Sequence, residues 1–273
     1  MLVEDDDAAK KRLGGKDEIS MDAFTTAADR FHVADAARLA FAEALAGNFD
    51  WCLKFTAEDT YRCDERKPLW NVLAFTRDDS AFPVPKDFDL SGIVTGRHLW
   101  FGDVYNPSFV EPPSPIDVEV ISQVQRARTL FTRDVLDAAR HEFMEHRQDV
   151  ERAIADASVD PHGRELARRY AGSFFGAIGT DAAFYRPMVA SQTARVYVDA
   201  ARSREACGPG ETVPVGTAVA ERQRTGGMAE VVLLDVMWQW APPNACEAIH
   251  TGTVWIDASA IGRSRPTADQ HRP

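Results

Sequence analysis

Residues 82–92, with the sequence FPVPKDFDLSG, form the stretch on which the fold assignment depends. Pro83 and Pro85 favour an extended backbone at the edge of a sheet, because proline has no N–H to donate to a neighbouring strand. The apolar run Val72–Phe75 lies shortly before them and is typical of a buried strand. The polar residues 77–80 between the two segments indicate a turn. The sequence therefore predicts a small β element that leads directly into an acidic segment.

Helical patterns lie on both sides of this β element. Residues 20–47 predict two helices with a break near His32, and Gly47 marks the end of the second helix. A long helical stretch is predicted from about Asp117 to Ala157, and another from about Pro161 to Ile178. The first part of the chain is thus predicted to be mainly helical.

The pattern changes after Pro187, where short apolar runs alternate with glycine and proline turns. Such regular short strands are typical of a small sandwich or barrel. We place a domain boundary at about 186–190, which gives a mainly helical unit over 1–187, a β unit over 188–262 and a flexible tail over 263–273. The predicted strands are Ala194–Val198, Thr217–Ala220, Ala229–Leu234 and Val254–Ile256.

The composition excludes several classes of protein. With 31 Lys and Arg against 42 Asp and Glu, the 273-residue chain has a formal net charge of −11, which argues against binding to nucleic acid or to an anionic membrane surface. No apolar run approaches the length of about 18 residues that a transmembrane helix needs. A hydrophobic content of 45% is enough for a sizeable core.

The four cysteines, at positions 52, 63, 207 and 246, give no metal-binding signature, because no two of them form a C-x-x-C pair. Cys207 and Cys246 flank the β-rich segment and could form a disulfide in an oxidising compartment. The alternative is that all four are free thiols.

Oxygen-bearing side chains in the segment between Gly47 and Gly92 are the candidates for chemistry. Asp50 follows the predicted helix end, Asn71 precedes a predicted strand, and Asp87 and Asp89 follow the proline-framed segment. Such a set suits Mg²⁺, which prefers one or two carboxylates together with phosphate and water. In phosphoryl transfer, one Asp accepts the proton of the acceptor while an Asn and another Asp hold the metal. The alternative is that these are ordinary turn and capping residues.

Four motifs occur in a fixed order over about 90 residues. They are LVEDDDAAKKRLGG at 2–15, GNFDW at 47–51, WNV at 70–72 and VPKDFDLSGIV at 84–94. Together they resemble the corresponding segments of bacterial proteins related to the CotH (spore-coat) protein-kinase-like family. The helical stretch over 117–180 is similar to the rest of such a lobe.

The resemblance implies an atypical protein kinase that transfers the γ-phosphoryl group of ATP to a protein hydroxyl with Mg²⁺. Asp50 would be the catalytic base, and Asn71 and Asp87 would bind the metal. Asp89 stands where most kinases have glycine and would be a further ligand or a structural acceptor.

The chain departs from the family pattern in several places. Lys86 replaces a Tyr before Asp87, and Trp70 replaces a His before Asn71. The chain has no G-x-G-x-x-G loop and no lysine-bearing strand before the acidic motifs, both of which a kinase needs. We therefore expect a C-terminal lobe whose N-terminal lobe is missing, which would be inactive alone.

The β unit loosely resembles a bacterial SH3-like small barrel, so the expected fold class is α+β: a kinase-like C-terminal lobe followed by an SH3-like barrel. Such a module implies a protein substrate or a cell-envelope component as the partner. Because the relatives are mostly exported, the resemblance also implies a periplasmic or secreted location. The alternative function is a non-catalytic extracytoplasmic scaffold that uses the β unit for recognition.

Overall fold

The computed structural model describes residues 5–20, 24, 31–48, 50–54, 69–89, 91–95, 115–128, 130–189, 194–206, 212–213, 217, 219–233 and 253–262. The chain is a mixture of α-helices and small antiparallel sheets, so the α+β class is confirmed. None of the helices within these ranges is long and apolar enough to span a membrane.

Eight helices and eleven strands are found in these ranges. The helices are α1 (Asp6–Arg12), α2 (Val33–Ala46), α3 (Gly92–Thr95), α4 (Pro115–Ala127), α5 (Arg133–Glu145), α6 (Arg147–Asp156), α7 (Pro161–Ile178) and α8 (Asp181–Phe184). The strands are β1 (Cys52–Leu53), β2 (Leu69–Trp70), β3 (Val72–Arg77), β4 (Ser80–Pro85), β5 (Met188–Val189), β6 (Ala194–Arg195), β7 (Thr212–Val213), β8 (Val219–Thr225), β9 (Met228–Leu233), β10 (Val254–Asp257) and β11 (Ile261–Gly262).

The prediction for α7 is confirmed at both ends. Asp160 caps the helix by accepting hydrogen bonds from the backbone N–H groups of His162 (2.9 Å) and Gly163 (3.0 Å). Pro161 occupies the first turn, where its missing N–H removes no helical bond.

The single long helical stretch predicted over 117–157 is wrong, because the structure divides it into α4, α5 and α6. Phe131 is buried between the first two helices, and Thr132 is extended (φ −71°, ψ 160°). His146 separates α5 from α6, because its backbone lies outside the helical range (φ −87°, ψ 3°). The apolar periodicity continues through both breaks, so it did not reveal them.

Helices α2, α4, α5 and α7 pack around one hydrophobic core that begins at Ile19 and ends at Phe184. Phe41 of α2 is fully buried and meets Phe174 of α7 edge-on, with the ring centroids 6.2 Å apart. Edge-to-face pairs of this kind add to the free energy gained from burial alone. The face of α2 that carries Phe41 is thereby fixed toward α7.

A largely buried arginine, Arg140, pairs with two exposed carboxylates at the edge of this core. Arg140 donates to the backbone oxygen of Ile178 (3.0 Å) and to the carboxylates of Asp137 (2.9 Å) and Asp181 (3.0 Å). The hydroxyl of Tyr185 also donates to Asp137 (2.7 Å). Burial, reinforced by this hydrogen bond, raises the pKa of Tyr185 to about 12. All the hydrogen-bond partners in this network are residues of the folded chain, so we assign the network a structural role in packing.

The predicted β element is an antiparallel hairpin of β3 and β4, in which Val72 pairs with Pro85 and Phe75 with Phe82. Residues 16–19 run along the outer edge of β3, with Lys16 N–H donating to Thr76 O and Ile19 N–H to Ala74 O, each at 2.8 Å. The N-terminal segment therefore acts as a third, irregular partner of the hairpin.

The β unit has a core of its own, which begins at Val189 and ends at Ala260, and the core that includes α7 ends at Phe184. Strands β8, β9 and β10 form a three-stranded antiparallel sheet, close to three of the predicted runs. The remaining pairs, β5 with β11 and β6 with β7, are two-stranded, and the described strands do not close into a barrel. The SH3-like barrel and the domain boundary stay predictions, and the tail over 263–273 lies outside the described residues.

The turn after α2 depends on glycine. Gly47 has a left-handed backbone (φ +59°), and a Cβ atom built there would lie 2.3 Å from Cε1 of Tyr170. Its carbonyl oxygen also accepts a hydrogen bond from Gly92 N–H (2.8 Å), which joins the end of α2 to the start of α3. Both the backbone angle and the space at this turn exclude a side chain.

We predict that Gly47→Ala lowers the free energy of unfolding by about 2–4 kcal/mol, the sum of left-handed strain and overpacking against Tyr170. The matched control is Gly172→Ala in α7, where a Cβ atom would meet nothing within 4 Å. That control should raise the stability by about 0.5–1 kcal/mol. Urea unfolding measures both, and equal effects of the two substitutions would contradict this account of the turn.

Candidate functional site

Three of the predicted site residues meet at the open end of the β3–β4 hairpin. Pairing of Cys52 with Trp70 in β1 and β2 brings Asp50 beside Asn71. The backbone N–H of Lys86 donates to the carbonyl oxygen of Asn71 (3.0 Å), which extends the hairpin by one bond and places the backbone of Asp87, the next residue, at the same end. The fold thus brings together residues that are separated by up to 37 positions in the sequence.

The carboxylate of Asp50 is held by one donor on each oxygen. The indole Nε1 of Trp70 donates to Oδ1 (3.2 Å), and the amide Nδ2 of Asn71 donates to Oδ2 (3.0 Å). The same Nδ2 also donates to the backbone oxygen of Asp50 (2.6 Å). Two donors on separate oxygens fix both the position and the rotation of the carboxylate.

The amide of Asn71 has a defined orientation because its partners on Asp50 are both acceptors. Its NH₂ group must therefore face Asp50, and its Oδ1 must face away. A carbonyl oxygen in that position is a suitable ligand for a hard cation.

Asn71 and Asp87 both have left-handed backbones, with φ values of +50° and +61°. Asn and Asp adopt this region more readily than other residues with side chains. The alternative interpretation, that these residues were selected for turns, therefore has a physical basis at both positions. Such strain is also concentrated at functional sites, so the backbone alone does not distinguish the two roles.

The loop after Asp87 is tightly closed. Asp89 N–H lies 3.5 Å from Asp87 Oδ1, and the buried Ser91 hydroxyl donates to the backbone oxygen of Phe88 (2.7 Å). The side chain of Asp89 is exposed, so Asp89 lies at the outer rim of this loop.

Lys86 is drawn toward the N-terminal helix. Its Nζ forms an ion pair with Oδ2 of Asp6 in α1 (2.8 Å), although the two residues are 80 positions apart. The pair is half exposed and contributes little to stability. Lys86, which departs from the family pattern, is therefore paired with a carboxylate other than those of Asp50, Asp87 and Asp89.

Sequence reasoning missed a buried polar network of Glu43, Asn48 and Gln123, which lies beneath the site. Asn48 is inside the GNFDW motif, but its burial could not be deduced from the motif. Glu43 could have been noticed, because it shares a helical face with Ala36 and Ala40, which are buried. A charged residue on an apolar helical face indicates a polar partner in the core.

Within the described ranges, no three Asp, Glu, His or Cys side chains lie close enough together to hold a metal ion. A cation at this site would therefore take at most two carboxylates, the amide oxygen of Asn71, and oxygens from water or phosphate. That set does not suit zinc or an all-protein calcium site, but it is the one that Mg²⁺ favours when it binds together with a nucleotide.

No protein-family model matches the chain, and no curated protein or solved structure is similar enough to it to count as a match. The resemblance to the CotH family therefore remains an expectation based on the motifs.

Cys52 lies two residues after Asp50, is buried, and is disulfide-bonded. The alternative that all four cysteines are free thiols is therefore wrong. Cys207 and Cys246 lie outside the described residues, so the bridge expected between them stays a prediction. A disulfide that involves Cys52 of β1 favours an oxidising compartment.

We predict that Cys52 resists alkylation by iodoacetamide in denaturant unless a reductant is present. Peptide mapping by mass spectrometry would recover Cys52 in a linked peptide, which also identifies its partner. Cys52→Ser should lower the free energy of unfolding by about 2–5 kcal/mol, and reduction of the wild-type protein should have an effect of similar size. Alkylation of Cys52 without reductant would contradict the assignment.

Proposed function

We propose that the chain supplies the catalytic base and the metal ligands of an atypical, kinase-like phosphotransferase. The observation that carries the proposal is the double hydrogen bond from Asn71 Nδ2 to Asp50, which orients a carboxylate and leaves an amide oxygen for a cation. Asp87 follows Lys86, whose backbone N–H donates to the carbonyl oxygen of Asn71 at the same end of the hairpin. The four ordered motifs and the CotH resemblance agree with these roles.

The proposed reaction moves the γ-phosphoryl group of ATP to a hydroxyl of a protein substrate. The acceptor oxygen forms a bond to the γ-phosphorus as the bond from that phosphorus to the β–γ bridging oxygen breaks, so that ADP leaves. Asp50 accepts the proton of the acceptor hydroxyl. Asn71 and Asp87 would hold Mg²⁺, which supplies charge neutralisation to the phosphates when bound.

The helical unit serves this proposal as a kinase-like C-terminal lobe. Helices α2, α4 and α7 form a rigid base, and the β3–β4 hairpin rests on α2. Sites on rigid elements keep reacting groups within the small tolerances that catalysis needs. In the same proposal, the β unit would be an SH3-like module that contacts the protein substrate or a cell-envelope component.

A second function is favoured by two observations. The left-handed backbones of Asn71 and Asp87 explain the choice of these residues without any reaction, and Asp89 is exposed at the rim. We therefore retain a non-catalytic scaffold that uses the β unit for recognition. The disulfide at Cys52 supports a periplasmic or secreted location for either function.

We predict that Mg²⁺ with ATP, at about 100 times the dissociation constant, stabilises the chain by about 2.7 kcal/mol, because the ligand binds only the folded state. For a protein of this size the melting temperature should rise by several degrees. Differential scanning fluorimetry with ATP alone, Mg²⁺ alone and both together measures this effect. Only the combination should give the full shift.

Asp87→Asn should abolish the shift, because it removes a charged metal ligand at nearly constant size. Asp79→Asn is the matched control, because Asp79 lies exposed in the hairpin turn at the opposite end of the same strands. A wild-type protein that shows no shift would support the scaffold function. A shift that persists in the Asp87→Asn protein would place the nucleotide elsewhere.

A further inference from the structure

Asn48 lies in the core directly beneath the proposed site. It follows the Gly47 turn and is fully buried. Its side-chain Nδ2 donates to Oε2 of Glu43 (2.8 Å) and, in a longer bond, to the backbone oxygen of Asp87 (3.4 Å). Its Oδ1 accepts from the backbone N–H of Asp50 (3.0 Å). One amide group thus contacts both segments that carry the acidic site residues.

The backbone of Asn48 is equally fixed. Its N–H donates to the carbonyl oxygen of Glu43 (2.9 Å), and its own carbonyl oxygen accepts from Nε2 of Gln123 in α4. Gln123 in turn accepts from the indole of Trp51 (3.3 Å). Side chains from α2 and α4 therefore hold Asn48 in place from two directions, which makes it a fixed reference for the site.

The pattern of donors and acceptors requires an amide at this position. The side chain must donate to a carboxylate and to a carbonyl oxygen, and it must also accept from an N–H group. An aspartate has the same shape but offers only acceptors when ionised, and an apolar residue offers neither. Asn48 is therefore specified by hydrogen bonding as well as by size.

We propose that Asn48 is a positioning residue, which sets the separation of Asp50 and Asp87 so that the base and the metal ligand act on one bound nucleotide. The inference rests on the proposed function and adds to it a residue that touches no substrate. Glu43 supports the role by anchoring the Nδ2 end of the amide. Outer partners of this kind commonly change metal affinity by about 10- to 100-fold when they are altered.

The test uses the full chain with Asn48→Asp. The new carboxylate would face Glu43 and the backbone oxygen of Asp87, so both bonds from Nδ2 are lost and replaced by repulsion. We expect the dissociation constant for Mg²⁺ with ATP, measured by isothermal titration calorimetry, to rise by at least about tenfold. Circular dichroism should show that the protein remains folded at the temperature used.

Two further variants separate positioning from stability. Leu136→Ala opens a cavity at a buried position of α5, and it should lower the melting temperature without changing the affinity. In the double variant Asn48→Asp with Glu43→Gln, the glutamine amide can donate to the new carboxylate. That pair should regain much of the lost melting temperature, while the affinity stays weak because the backbone oxygen of Asp87 still faces a carboxylate.

The outcomes distinguish the two proposals. If the wild-type protein binds Mg²⁺ with ATP and Asn48→Asp binds equally well, the positioning role is wrong and the proposed function stands. The positioning role is also wrong if the affinity of the double variant recovers together with its melting temperature. If the wild-type protein does not bind the nucleotide, the proposed function fails and the positioning role fails with it.

Discussion

Helix α2 ends where the ring of Tyr170 packs against Gly47, at a distance that leaves no room for a side chain. The left-handed turn at this glycine directs Asn48 into the core and Asp50 toward the hairpin. Since the same glycine also accepts the hydrogen bond from Gly92, the loop that carries Asp87 and Asp89 closes on this turn. The geometry of the acidic residues therefore depends on a contact between two helices that contain none of them.

The site combines a rigid buried layer with a strained outer layer. In the buried layer, the side chain of Asn48 is hydrogen-bonded to Glu43, and an unpaired polar group in this interior position would cost free energy. Above, Asn71 and Asp87 adopt left-handed backbones that cost free energy. The paired antiparallel strands β3 and β4 hold these strained residues in place, because Asn71 immediately precedes Val72 of β3 and Asp87 lies two residues after Pro85, the partner of Val72 in β4. This division is what a preorganised site for a charged ligand needs.

Much of the fold could be predicted from local patterns. The start of α7 follows from Asp160 and Pro161, and the end of α2 follows from Gly47, because these signals act on their immediate neighbours. The breaks near Thr132 and His146 could not be predicted, since neither a glycine nor a proline marks them and the apolar spacing continues through both. The edge contact of residues 16–19 with β3 was missed for a similar reason: it is a long-range pairing with no periodic signal.

The candidate site shows the same limit. Asp50, Asn71 and Asp87 could be selected from the sequence because their chemistry is visible there, and the motif order suggested that they act together. The buried network of Glu43, Asn48 and Gln123 could not be selected, because its meaning lies in burial and in the pairing of donors with acceptors. The role of Trp70 as a donor to Asp50 was likewise invisible in a motif that marked it only as a substitution.

The central claim, that Asn71 and Asp87 form a cation site beside the carboxylate of Asp50, is tested most directly by the luminescence of Tb³⁺, a hard cation that seeks oxygen ligands as Mg²⁺ does. Excitation of the indole of Trp70, which contacts Asp50, should sensitise emission from a bound ion, and excess Mg²⁺ should compete with it. The account predicts that Trp70→Phe or Asp87→Asn removes most of this emission, whereas Trp255→Phe in the β unit does not. Emission that is unchanged in both Trp70→Phe and Asp87→Asn would contradict the account.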